Sequence, residues 1–100
     1  MDVFEALAEP NRRKILGLLR QSELPAGALV EAVGLSQPGV SKHLKSLREA
    51  GLVSVRADGQ RRLYRIEPDK LAEIDAWLAP YRRFWRGKLD DLERHLEEEQ

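Results

Sequence analysis

The sequence predicts a mainly α-helical domain carrying one small β-hairpin and closing on a long helix. Three observations predict it. Apolar residues recur at helical spacing through the first half of the chain, the spacing changes to alternation between Val53 and Ile66, and helical steps of three and four resume from Leu71 to Leu96. One hundred residues suit a single domain, 1–100, with a modest core. The chain is 42% hydrophobic and 34% charged, a globular and soluble balance. No apolar run approaches the roughly 20 residues that cross a bilayer, and no signal-peptide pattern opens the chain, so no membrane partner is expected. Cysteine is absent, which excludes disulfides and thiolate metal or redox sites. A cytoplasmic location is the expectation.

The elements follow in order. Asp2 to Ala8 predicts a short amphipathic helix with Val3, Phe4 and Leu7 on its apolar face. Pro10 suits the first turn of a second helix, because its missing N–H would have no partner there. That helix reaches Gln21, with Ile15, Leu16, Leu18 and Leu19 inward and Arg12, Arg13, Lys14 and Arg20 outward, their charges solvated. Pro25 breaks the helix, since a residue before proline avoids helical geometry. Ala26 to Val33 predicts a third helix with Leu29, Val30 and Val33 inward, ended by Gly34.

The next helix is the organising one. Ser36 can cap its start, Gly51 can take the left-handed geometry that ends it, and Val40, Leu44 and Leu47 form one stripe between them. At about 100° per residue, Pro38, Ser41, Lys42, Lys45 and Glu49 project away from that stripe. Two short helices joined by a turn containing glycine, spanning 25–50, are the sequence form of a helix-turn-helix. A helix with an apolar back and a small, polar and basic front suits a DNA major groove; a surface helix with solvated lysines is the alternative.

From 52 to 67 the alternation predicts a hairpin with Val53, Val55, Tyr64 and Ile66 inward and a turn at Asp58-Gly59-Gln60. Arg61 and Arg62 flank the tip and Arg56 lies across from them, so the hairpin can act as a wing laid against phosphates. Residues 36–65 carry seven basic and two acidic side chains, a net of +5, whereas 68–100 carry six basic and nine acidic, a net of −3. That local field, rather than the zero total, is what a phosphate backbone meets.

Pro68 and Asp69 start the last helix, 68–98. Leu71, Ile74, Leu78, Tyr81, Trp85, Leu89, Leu92 and Leu96 make a seam longer than a domain this size needs, widened by Trp77 and Phe84. Pro80 is expected to kink or break it. Part of the seam is expected to fold back on its own domain, and the rest to be covered by a second copy in an isologous dimer. Glu97-Glu98-Glu99-Gln100 is expected to be a frayed acidic end.

At this point the chain resembles the ArsR/SmtB family of small winged-helix bacterial repressors. The resemblance runs from Ala8-Glu9-Pro10-Asn11-Arg12-Arg13-Lys14-Ile15-Leu16, through the stretch Leu35-Ser36-Gln37-Pro38-Gly39-Val40-Ser41-Lys42-His43-Leu44 and on to Ala50-Gly51-Leu52-Val53, and into the wing. It implies a homodimer built from first and last helices that binds an imperfect inverted repeat in double-stranded promoter DNA. Half-sites then lie about one helical turn (~34 Å) apart. Metal-sensing members of the family carry a Cys-x-Cys pair where Pro25 and Gly27 fall here, or paired Asp and His on the last helix. This last helix has Asp75, Asp90, Asp91 and His95 without an Asp-x-His pair, so no metal site is expected.

The residues expected to touch DNA are Gln37, Ser41, Lys42 and Lys45 in the groove and Arg61 and Arg62 on the backbone. His43 is expected to pack toward the apolar side. Dimerisation is expected through Phe4, Leu7, Leu78, Tyr81, Trp85, Leu89 and Leu92. An aromatic dimer interface leaves room for a small-molecule effector of unidentified chemistry, although plain packing explains the aromatics as well. A protein-interaction module docking through the aromatic helix is the second functional class. An enzyme is not expected, because neither His43 nor His95 has an adjacent nucleophile and no Gly-rich phosphate loop follows a strand. No cofactor is expected.

Overall fold

Asp2 and Glu9 each begin a helix by the same device. In the computed structural model, which describes residues 1–98, Asp2 Oδ1 accepts from the Glu5 N–H at 2.8 Å and Glu9 Oε2 accepts from the Arg12 N–H at 2.9 Å. Each carboxylate satisfies an N–H that the helix leaves without a partner. Helix α1 is Val3–Leu7 and α2 is Pro10–Leu19. Val3 and Ala6 are the residues of α1 that are fully buried, whereas Phe4 turns out to be exposed. The corner between these helices is fastened by arginines. Arg12 donates to the carbonyls of Ala6 (2.7 Å) and Glu5 (3.0 Å), and Arg13 to that of Leu7 (2.7 Å). The Ala6 and Leu7 carbonyls are C-terminal acceptors that so short a helix leaves unpaired, whereas that of Glu5 also accepts from the Ala8 N–H at 3.2 Å.

Leu24–Pro25 forms a two-residue strand, β1, where the sequence signals no more than a break. Helix α3 (Ala26–Val33) follows, ended by Gly34 at φ +79°. Helix α4 (Gln37–Glu49) is capped by Ser36, whose hydroxyl accepts from the Gly39 N–H at 3.2 Å. It ends in a Schellman turn: Leu52 N–H donates to Leu47 O and Gly51 N–H to Arg48 O, both at 3.0 Å, with Gly51 at φ +79°. Strands β2 (Val53–Asp58) and β3 (Arg61–Ile66) then form the hairpin, with Gly59 at φ +64° in its two-residue loop. The sheet has three strands in the order β1-β3-β2, all neighbours antiparallel. β1 pairs because the break after α2 brings Leu24 opposite Tyr64 and Pro25 opposite Leu63. Leu63, absent from the expected inward set, is thereby buried.

The core joins α1, α2, α3, α4 and the root of the sheet around Ile15, Leu29, Val40, Leu44, Leu47 and Leu52, each fully buried. The last helix, α5, is Pro68–Glu98, 31 residues without a break. Pro80 lies inside it and does not break it. The missing N–H leaves the Ala76 carbonyl without its intrahelical donor, a loss tolerated by a long helix anchored to the core at Leu71 and Ile74. Glu97 and Glu98 are helical rather than frayed, while Glu99 and Gln100 lie outside the described residues. Leu71 and Ile74 pack on the core, after which the helix leaves the domain, and the molecule measures 63 × 25 × 22 Å. No helix among the described residues is long and apolar enough to cross a membrane.

Candidate nucleic-acid interface

Helix α4 separates two surfaces. Val40, Leu44 and Leu47 face the core and are buried, whereas Gln37, Pro38, Ser41, Lys42, Lys45 and Glu49 are exposed. Steps of four place Gln37, Ser41 and Lys45 along one line, with Lys42 beside it. Lys42 and Lys45 form no ion pair or hydrogen bond among the described residues, so both ammonium groups are held out on a rigid helix with solvent as their partner. Between this helix and β2 lies an open groove of about 520 Å³ lined by Lys45, Arg48, Glu49, Val53, Ser54 and Val55.

His43 belongs to the supporting side. It is half-buried, its Nε2 stands 3.7 Å from Glu9 Oε2, and its Nδ1 is buried without a hydrogen-bond partner. The contact is too long for a hydrogen bond but close enough for charge to matter. Burial works to raise the Glu9 pKa, yet the Arg12 backbone N–H, His43, the Asn11 backbone N–H and the Arg12 charge together hold it below the usual carboxylate range. One carboxylate thus serves both the start of α2 and the flank of α4. Local sequence gives no sign of this pairing across 34 positions.

The wing arginines divide by partner. Arg56 places Nη2 2.7 Å and Nε 2.9 Å from Glu23 Oε2, and Arg65 lies 4.0 Å from Glu23 and 3.4 Å from Glu67. The hydrogen bond from Arg56 lowers the Glu23 pKa and raises that of Arg56 in return. Arg61 pairs with Asp58 at 3.1 Å across the ends of the hairpin. Arg62 has no such partner among the described residues. The basic cluster expected around the tip is therefore smaller than its count, because Arg56 is already neutralised from the α2–β1 turn.

The exposed half of α5 forms the other candidate surface. Trp77, Tyr81, Phe84, Trp85, Leu89, Leu92 and Leu96 are all exposed, Phe84 to 65% and Leu89 to 59%. Phe4 meets the Trp77 ring edge-on at 5.5 Å, and Trp77 stacks at 4.8 Å on Tyr81, so α1 and α5 share one aromatic face. Leu7 and Leu78 are half-buried beside this surface, Leu7 against its own core. Among the described residues, no group of three or more His, Cys, Asp or Glu side chains is placed to hold a metal ion.

Residues 9–55 match the family model described as bacterial regulatory protein, arsR family. The transcriptional repressor SdpR of Bacillus subtilis is 35% identical over 77 residues, 77% of this chain and 86% of that protein. The chain belongs to the ArsR family. The HTH-type transcriptional regulator Rv2034 of Mycobacterium tuberculosis is 36% identical to this ArsR-family chain over 96 residues, 96% of it and 87% of the relative. The homodimeric winged helix-turn-helix DNA-binding domain of Mb0332 from Mycobacterium bovis superposes with a TM-score of 0.66 at 34% identity, covering 81% of this chain and 75% of that one. The three-stranded sheet and the helices around it thus form the winged helix-turn-helix of an ArsR-family protein.

Proposed function

We propose that this ArsR-family protein is a homodimeric, DNA-binding transcriptional repressor that works without a metal. The observation that carries the reading is the front of α4: Gln37, Ser41, Lys42 and Lys45 exposed together on a helix whose back is locked into the core. Glutamine can pair with adenine through two hydrogen bonds, lysine can reach guanine or a phosphate, and serine can reach either base or backbone. Arg62, and Arg61 when it exchanges Asp58 for a phosphate, fix the register from the wing. In this reading 25–50 is the helix-turn-helix, 52–67 the wing and 68–98 the dimerisation helix of a single domain, 1–100.

Two copies joining Phe4, Leu7, Leu78, Tyr81, Trp85, Leu89 and Leu92 cover the aromatic face and present two α4 helices to successive major grooves of an inverted repeat. Repression follows by occupancy of a promoter, which needs no catalytic group and implies a cytoplasmic site of action. The test is selection of bound fragments from genomic DNA at fixed salt, followed by footprinting. Two protected major-groove patches about 34 Å apart are expected. Weak, uniformly salt-sensitive binding without a footprint supports a protein-interaction module instead.

A further inference from the structure

On one face of the sheet, five polar side chains make a closed and electrically neutral brace. Glu23, in the turn before β1, holds Arg56 of β2 by two contacts and faces Arg65 of β3; Arg65 Nε donates to Ser54 Oγ at 3.2 Å and lies beside Glu67, which also accepts from the Ser54 hydroxyl. Two guanidinium groups thus meet two carboxylates. β2 places Arg56 two residues from its end at Asp58, about 7 Å along the strand from the wing tip. The register Asp58↔Arg61 puts Arg56 on the same face of the hairpin as Arg61, so its guanidinium lies on the side of any phosphate that Arg61 takes up.

We propose that Glu23 is a specificity-determining residue, which keeps Arg56 off the phosphate backbone and so holds down binding to DNA of arbitrary sequence. The inference rests on the DNA-binding reading above. Phosphate attraction is blind to sequence and draws its free energy from released counterions. An arginine already neutralised by Glu23 can reach a phosphate only by exchanging one ion pair for another, with little gain. A wing of unpaired arginines would strengthen operator and random DNA alike and reduce the ratio between them.

The test measures binding of the full chain to a random-sequence duplex and to the selected operator over a range of salt. Glu23→Gln is expected to tighten random binding several-fold at low salt. It is also expected to steepen the plot of log K against log salt by about 0.9, for the one arginine released. Arg56→Gln alone is expected to leave the slope unchanged, whereas added to Glu23→Gln it removes about 0.9 of the gain. Glu23→Asp is expected to keep the wild-type slope. An unchanged slope in a normally folded Glu23→Gln protein overturns the proposal, as does a shallower slope for Arg56→Gln alone. A wild-type protein with no salt-dependent duplex binding overturns the DNA reading itself and this inference with it.

Discussion

Gly51 shows how much one residue decides. Its left-handed φ of +79° lets the chain turn from α4 into β2 while both terminal carbonyls of the Schellman turn are satisfied. A Cβ at this position would stand 3.0 Å from Lys70 Cγ, a flexible stem that can yield, so the backbone conformation sets the cost. Gly51→Ala is expected to lose about 1–2 kcal/mol, read as a fall in Tm of several degrees or more. The arginines of α2 teach a different lesson. Arg12 and Arg13, outward by periodicity, are spent on α1 carbonyls rather than left to solvent. Composition counts a basic patch, whereas structure decides which cations remain unpaired: Lys42, Lys45 and Arg62 against Arg56 and Arg65.

At the scale of elements, α1, α2 and α4 start on the side-chain oxygens of Asp2, Glu9 and Ser36, and the carboxylate caps carry a pH signature. Glu9 caps α2 and titrates below its ordinary range in the folded protein, so it binds its proton less readily there than in the unfolded chain. Its contribution to stability is complete above the ordinary carboxylate range and is lost as pH falls through the lowered folded value. The Tm difference between wild type and Glu9→Gln should therefore be full at neutral pH and shrink in acid; a difference independent of pH would contradict the assignment. Helix α3 was readable from Ala26 to Val33 and α4 from its Ser36 cap, because caps, glycine and periodicity are all local. Strand β1 and the Glu9–His43 and Glu23–Arg56 contacts were not, because two residues carry no alternation and the partners lie far apart in the chain. At Pro80 the helix continues unbroken: a proline breaks an isolated helix more readily than one anchored to a core at Leu71 and Ile74.

The whole molecule is a small winged domain with a long apolar helix leading away from it. Its exposed seam predicts that Leu89→Glu leaves the protomer folded by circular dichroism but shifts the protein to monomer in sedimentation, because Leu89 supports no core of its own. Operator affinity should fall with it, since two half-sites no longer bind as one unit. The proposed function makes α4 the reading surface. The most direct measurement is the salt dependence of operator binding for wild type and Lys42→Ala. The exposed, unpaired ammonium of Lys42 predicts weaker binding and a slope of log K against log salt shallower by about 0.9 in the variant. Glu98→Ala, at the far end of α5, should leave both unchanged. An unaltered slope for Lys42→Ala would contradict the assignment of α4 to the DNA.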